Sequence, residues 1–172
     1  MINWMYFPQN NGVKNHLKKV IEVFELHEQE IDSYVHNLQN NLTSDEVLAI
    51  VCHDLEKIDY IVEKSKKAND LIRVPVLYGV NGAVELAFEV DAYSENNRTV
   101  IEVEAGRAVT NYQFLKDFYE CCMMQNVDYF VVAVKNVYRS SKDFEKVCAF
   151  FRSLYVSNRV EVPLKGVLVI GY

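Results

Sequence analysis

The stretch that most constrains this chain is residues 86–106, LAFEVDAYSENNRTVIEVEAG, where two apolar segments carry carboxylates at alternate positions. Asn tolerates a positive φ angle, so Asn96 and Asn97 predict a two-residue type I′ turn that Glu95 and Arg98 close. The two segments then form the antiparallel strands of a β-hairpin, and the turn determines which residues face one another.

The predicted register separates apolar from acidic side chains, because successive residues of a strand point to opposite faces. The turn implies five cross-strand pairs: Tyr93–Val100, Ala92–Ile101, Asp91–Glu102, Val90–Val103 and Glu89–Glu104. One face is apolar (Val90, Ala92, Ile101, Val103), and the other gathers four carboxylates (Glu89, Asp91, Glu102, Glu104). Like charges directly across a sheet are destabilising, so the acidic patch indicates a cation site. The alternative is an acidic, water-facing side of an antiparallel sheet.

Length and composition predict one domain. The chain has 172 residues, of which 50% are hydrophobic, and this is long enough for one substantial core and too short for two. No apolar run reaches the length of a membrane span, and the beginning, MINWMYFPQN, lacks the order of a signal peptide. We therefore expect a cytoplasmic protein without a membrane partner. The four cysteines lack a CxxC pair, which favours core filling over zinc or redox chemistry.

Charge is distributed unevenly along the chain. The net charge of -6 by itself disfavours a nucleic-acid partner. Residues 135–172, however, hold seven Lys or Arg against three acids, a net +4, which leaves -10 for residues 1–134. An acidic site beside a basic region could suit a polyanion held over metal ions, and an ordinary solvated helix face is the alternative.

The spacing of apolar residues predicts four helices. The first spans residues 14–38, the second follows a capping box at Thr43–Glu46, the third follows a capping box at Thr110–Gln113, and the last begins after Ser140–Ser141. His16, His27 and His36 lie in or beside the first helix without the i, i+4 spacing of a metal pair, so we expect surface or hydrogen-bonded histidines.

Strands are predicted between these helices. A short strand over residues 60–63 and a β-rich run over 72–78 precede the hairpin, and the turn at 79–82 leads into the run 83–90, which contains the start of its first strand. The runs 129–134 (YFVVAV) and 167–170 (VLVI) are apolar on both faces, which is typical of strands covered on both sides. With the helix between them they predict a parallel βαβ unit.

The predicted domain is α/β, with a mixed central β-sheet flanked by helices. Residues 1–42 supply an N-terminal arm and helix, residues 43–135 the core with the acidic hairpin, and residues 136–172 a C-terminal helix and strand. We expect residues 1–13 to form an arm, because Pro8 and Gly12 interrupt regular structure there.

This order, together with Asp91 and the Glu102-Val103-Glu104 segment, resembles the PD-(D/E)XK nuclease superfamily, whose restriction endonuclease-like fold has an αβββαβ core. The family places an Asp on one hairpin strand and an acid-x-Lys on the next. Asp91 matches the first acid and Glu102 the second, while Glu104 occupies the lysine position. A Glu there is known in the BamHI and BglII branch, so the motif is most similar to that group.

The resemblance implies a Mg²⁺-dependent (or Mn²⁺-dependent) DNA endonuclease. Asp91 and Glu102 would be metal ligands, and Glu104 a general base or an orienting group for water. Glu56, on the polar side of the second helix, is similar to a helical acid that some members add to the metal shell, and Glu89 is a further contributor. Three bases are expected to reach substrate phosphates: Arg107, Lys135 and Arg139. DNA is the expected partner, and a homodimer is allowed.

Two other functions remain open. The chain could be a catalytically inactive nuclease-fold protein that binds nucleic acid or another protein, because the usual lysine is missing. A metal-independent acid–base hydrolase using Glu102 and Glu104 is less favoured, because residues i and i+2 of one strand lie side by side and do not by themselves flank a substrate bond.

Overall fold

The computed structural model describes residues 1–35, 41–106 and 108–172. Its helices are α1 (Asn15–Leu26), α2 (Glu28–Ile31), α3 (Ser44–Lys57), α4 (Gln113–Met123) and α5 (Asp143–Ser157). Its strands are β1 (Asn3–Phe7), β2 (Ile61–Val62), β3 (Ile72–Tyr78), β4 (Val84–Val90), β5 (Ala92–Ser94), β6 (Thr99–Glu104), β7 (Tyr129–Val134) and β8 (Gly166–Gly171). The predicted mixed α/β class is confirmed.

Six strands form one mixed sheet in the order β1-β8-β7-β6-β5-β2, and β3 and β4 form a separate antiparallel pair. Strands β6, β7 and β8 run parallel to one another, and the outer pairs are antiparallel. Along the chain, α3, β2, β5, β6, α4 and β7 follow the predicted order of one helix, three strands, one helix and one strand. The β3–β4 pair is inserted between β2 and β5.

The central strands are apolar on both faces because helices cover both faces of the sheet. On one side, Val131 and Ala133 of β7 pack in a core with residues of α1 and α3. On the other side, Phe130 and Val132 pack with residues of α4 and α5. The predicted parallel pairing of β7 with β8 around α5 is confirmed.

The N-terminal region differs from its prediction in two places. The expected arm contains β1, which pairs antiparallel with β8 and forms an edge of the sheet. The single helix predicted over residues 14–38 is wrong, because α1 ends at Leu26 and α2 ends at Ile31. The break falls at His27, whose ring nitrogens contact Glu30 Oε1 at 2.7 Å and Asp54 Oδ2 at 2.9 Å. The contact with Asp54 holds this point of the chain against α3.

The other two predicted histidines behave differently. His16 packs edge-on against the ring of Tyr129 at 4.8 Å, and its Nε2 has no hydrogen-bond partner among the described residues. The expectation of a surface or hydrogen-bonded side chain is thus confirmed for His27 only. His36, like the end of the predicted first helix, lies outside the described residues.

The two predicted capping boxes have different outcomes. Glu46 N donates to Thr43 Oγ1 at 3.3 Å and Thr43 N donates to Glu46 Oε2 at 2.7 Å, so the box that begins α3 is confirmed. The box at Thr110–Gln113 is wrong, since α4 begins at Gln113 after Tyr112, which has φ 53° and makes no side-chain cap. The Gln113 side chain instead donates to Asp117 Oδ1 at 3.0 Å.

No helix within the described ranges combines the length and apolar character that crossing a membrane requires.

Candidate functional site

The hairpin register is confirmed near the turn, but the turn type is wrong. Ala92 pairs with Ile101 and Tyr93 with Val100, as predicted. The positive φ lies at Arg98 (50°) and not at Asn96 or Asn97, so the turn is not type I′. The reason is local: Ser94 Oγ accepts both the backbone N–H of Asn97, at 3.2 Å, and its side-chain amide, at 3.0 Å.

The chain changes sheets at Asp91, which ends the predicted ladder. Before it, β4 pairs with β3, so Val90 faces Ile72 and Glu89 faces Arg73. The predicted ladder pairs Val90–Val103, Asp91–Glu102 and Glu89–Glu104 are therefore wrong. The predicted apolar face is also wrong at Val90, which packs in the core beneath α4 and α5, opposite to the core that contains Ala92, Ile101 and Val103.

Asp91 fixes this crossing between the two sheets. Its carboxylate Oδ2 accepts the backbone N–H of Val103 at 2.8 Å, where a ladder partner would otherwise lie. Its backbone carbonyl accepts the N–H of Glu63 at 2.8 Å. The Asp91 side chain is thereby held against β6, beside Glu102.

The structure brings the three predicted catalytic acids together in one polar pocket. Asp91, Glu102 and Glu104 all line it, and Glu89 lines it as well. The Glu89 side chain is half-exposed and pairs with Arg73 at 3.1 Å. Further polar residues complete the lining, none of which was predicted for the site: Ser44, Glu63, Lys66, Gln113, Lys116, Asp117 and Glu120.

Asp91 and Glu102 form one close carboxyl pair. Burial raises the pKa of Asp91, while the Val103 N–H and the charge of Lys66 act to lower it. Burial also raises the pKa of Glu102 well above its usual range, and the negative charges of Asp91, Asp117 and Glu104 add to the shift. These groups therefore disfavour full ionisation of the pocket without a cation.

Glu104 and Asp117 form a second close pair. Burial raises the pKa of Glu104 to about 8, and the negative charge of Asp117 adds to the shift. Burial raises the pKa of Asp117 to about 6, and the positive charge of Lys116 opposes this shift. The fully buried Tyr172 donates its hydroxyl to the backbone carbonyl of Glu104 at 3.0 Å, which holds the end of β6 in place.

Two lysines at the pocket are engaged with carboxylates. Lys66 forms an ion pair with the buried Glu63. Lys116 lies 3.1 Å from Glu120 and 3.8 Å from Asp117. Two ammonium groups therefore face seven lining carboxyl groups (Glu63, Glu89, Asp91, Glu102, Glu104, Asp117 and Glu120), so the ionised pocket has excess negative charge.

Glu56, the predicted helical ligand, does not line this pocket. It is exposed at the end of α3 and pairs with Lys64 at 2.7 Å. The nearby buried acid on the pocket wall is Glu63, directly after β2. A carboxylate that follows two strand residues and precedes a lysine-rich stretch was the available sequence signal for Glu63.

The predicted phosphate-binding residues lie elsewhere or outside the described residues. Lys135 is buried, its Nζ donates to Leu42 O at 2.9 Å and to Asn41, and burial lowers its pKa. Arg139 is exposed with its guanidinium 5.4 Å from the Tyr138 ring. Neither side chain lines the acidic pocket. Arg107 lies outside the described residues. The phosphate-binding roles stay predictions.

The acids that α4 contributes, Asp117 and Glu120, were not predicted for the site. Gln113, Asp117 and Glu120 recur at the three-and-four spacing of one helix face. That face lies against the end of β6 in the structure, where Asp117 reaches Glu104. A polar stripe beside an apolar stripe was thus the sequence signal for these residues.

Comparison with known proteins adds no assignment. No protein-family model, no curated protein and no solved structure matches this chain. Within the part of the chain that the structure describes, no group of three or more His, Cys, Asp or Glu has the arrangement of a metal site. The resemblance to the PD-(D/E)XK superfamily therefore rests on the residue pattern and stays a prediction.

Proposed function

We propose that the chain is a Mg²⁺- or Mn²⁺-dependent nuclease of PD-(D/E)XK type that hydrolyses phosphodiester bonds in DNA. One observation carries the proposal: Asp91, Glu102 and Glu104, chosen from a short sequence pattern, line the same pocket although the register that first connected them is wrong. DNA as partner, a homodimer and a cytoplasmic location belong to the same proposal.

The donor chemistry of the pocket suits a hard divalent cation. Seven carboxyl groups face it, and Mg²⁺ is commonly held by one or two carboxylates together with substrate phosphate and water. Pairs of protein carboxylates therefore suffice, even though no complete cage of three protein ligands is present among the described residues. A bound ion supplies an acidified water and neutralises phosphate charge.

Five residues at the pocket have a proposed part in the reaction. Asp91 and Glu102 would hold the cation, and the Val103 N–H fixes the orientation of Asp91. Glu104, in its ionised form, orients the attacking water. Lys116 places positive charge at the pocket rim, where it lowers the pKa of Glu104 and would attract a phosphate.

A plasmid-nicking assay tests this proposal. Supercoiled plasmid incubated with Mn²⁺ should be nicked by the wild type, and Asp91→Asn or Glu102→Gln should reduce the rate by about 100-fold or more. Glu145→Gln is the matched control, because Glu145 is an exposed acid on α5 that pairs with Lys142 at 2.9 Å. Nicking that is absent from the wild type, or unchanged in Asp91→Asn, would contradict the proposal.

A catalytically inactive binding protein is the second candidate. The observation that favours it is the charge balance of the pocket lysines, since Lys66 pairs with Glu63 and Lys116 with Glu120, while position 104 is an acid. Binding of labelled DNA by fluorescence anisotropy, without metal-dependent nicking, would support this candidate.

A further inference from the structure

Four acids of the pocket lie on β6 or beside it. All four acids line the same pocket, where Glu102 is beside Asp91 and Glu104 is within the electrostatic field of Asp117. Glu102 and Glu104 are two residues apart on one strand, so both point to the same face and their Cα atoms lie roughly 7 Å apart. The pocket thus contains two acids of β6, one acid from the β4–β5 junction and one from α4.

The carboxylate of Asp117 is buried and only partly satisfied by hydrogen bonds. Its side chain is 6% exposed, and its Oδ2 has no hydrogen-bond partner among the described residues. Its Oδ1 accepts from Gln113 at 3.0 Å and lies 3.8 Å from Lys116 Nζ, while that ammonium is closer to Glu120. A buried carboxylate oxygen without a donor is costly, and a proton or a cation shared with Glu104 would satisfy it.

We propose that Glu104 of β6 and Asp117 of α4 form a second divalent-cation subsite, beside the one formed by Asp91 and Glu102. Carboxylate oxygens of two elements converge there, and water or a substrate phosphate completes the coordination. The use of this second ion in phosphodiester hydrolysis rests on the proposed function, whereas the binding of the ion does not.

Counting bound Mn²⁺ tests the subsite directly. The full chain is titrated with Mn²⁺ near neutral pH, where the ion stays in solution and displaces protons from its carboxyl ligands, and electron paramagnetic resonance reports the free ion. We expect two ions per wild-type chain, and one ion for Asp117→Asn and for Glu104→Gln. A wild type that binds one ion, or an Asp117→Asn variant that still binds two, would overturn the proposal.

Asp143→Asn is the matched control. Asp143 is also a buried aspartate of a helix with an unpartnered Oδ2, but it lies beside Ser141 and within the field of Lys146 and Lys135. We expect this variant to keep two ions. Folding of each variant is checked by circular dichroism, and we expect Asp117→Asn to fold because the Asn amide can donate a hydrogen bond to Glu104. A stoichiometry of one in Asp143→Asn would show a general effect of buried charge and overturn the proposal.

The two proposals fail separately. Two bound ions in the wild type and one in Asp117→Asn, without any nicking of plasmid, would support the subsite and contradict the nuclease. Nicking that Asp91→Asn abolishes, with unchanged Mn²⁺ stoichiometry in Asp117→Asn, would contradict the subsite and support the nuclease.

Discussion

Two buried aspartates on neighbouring helices, Asp117 of α4 and Asp143 of α5, show what distinguishes a structural acid from a candidate ligand. Both are almost fully buried, and each has one oxygen without a hydrogen-bond partner among the described residues. Burial raises the pKa of Asp143, and this shift is opposed by the Ser141 hydroxyl, which donates to the carboxylate, and by the charges of Lys146 and Lys135. Asp117 faces Glu104, with a single lysine that it shares with Glu120. Both aspartates are buried, so the residues around each carboxylate distinguish the candidate ligand from the structural acid.

The largest effect expected from this comparison is a loss of stability at Asp143. Asp143→Ala removes the acceptor of Ser141 and a negative charge near the buried Lys135, so we expect the free energy of unfolding to fall by about 2 kcal/mol. Urea denaturation measures this change. An unchanged midpoint of urea denaturation would show that the Asp143 carboxylate does not stabilise the fold through Ser141 and its lysine neighbours.

A substitution at Asp117 is expected to raise the free energy of unfolding. Asp117→Asn removes one of two carboxylates that face each other and supplies a donor, so the metal-free protein should gain about 1 kcal/mol of stability at neutral pH. The same urea experiment without added cation measures it. A loss of stability comparable to that of Asp143→Ala would remove the distinction between the two sites.

The pH dependence of stability sharpens the comparison further. The pKa values of Glu104 and Asp117 are raised in the folded state, from 4.5 to about 8 and from 3.8 to about 6, so the folded state binds more protons than the unfolded state between these limits. Stability of the metal-free protein should therefore fall as pH rises from about 4.5 to about 8. Glu104→Gln should flatten this slope in urea titrations repeated across that range, and a slope equal to that of the wild type would contradict the assignment.

The smallest effect is expected at an exposed ion pair. Glu145→Gln breaks the contact with Lys142 at 2.9 Å, where both side chains are about two-thirds exposed, and should leave the unfolding temperature the same as that of the wild type. Thermal unfolding measures it. A clear change in the unfolding temperature would show that removing any charge alters the stability of this chain. The stability changes at Asp117 and Asp143 could then not be assigned to their neighbours.

Much of the fold could be predicted from the sequence because its signals are local. The apolar runs of β7 and β8 indicated strands that are covered on both faces, and the Thr43–Glu46 box located the start of α3. Asp91, Glu102 and Glu104 were chosen as a group, and the structure places them in one pocket. Alternation and capping depend on residues close in sequence, so a single chain contains that information.

What could not be predicted depends on contacts distant in sequence. Strand β1 forms by pairing with β8, which lies at the other end of the chain. The helix break at His27 is accompanied by a contact with Asp54, 27 residues away. The crossing at Asp91 depends on the β3 partner that removes Val90 and Glu89 from the main sheet. Asp117 joins the site only through the packing of α4 against β6, and no local pattern relates it to Glu104.

Calorimetric titration of the wild type and Glu102→Gln with Mg²⁺ tests the central claim most directly, because Glu102 lies in the field of both Asp91 and Asp117. The account predicts saturable heat in the wild type that Glu102→Gln reduces strongly or abolishes, with circular dichroism showing the same fold. Heat signals that are the same in both proteins, or absent from the wild type, would contradict a cation site in this pocket.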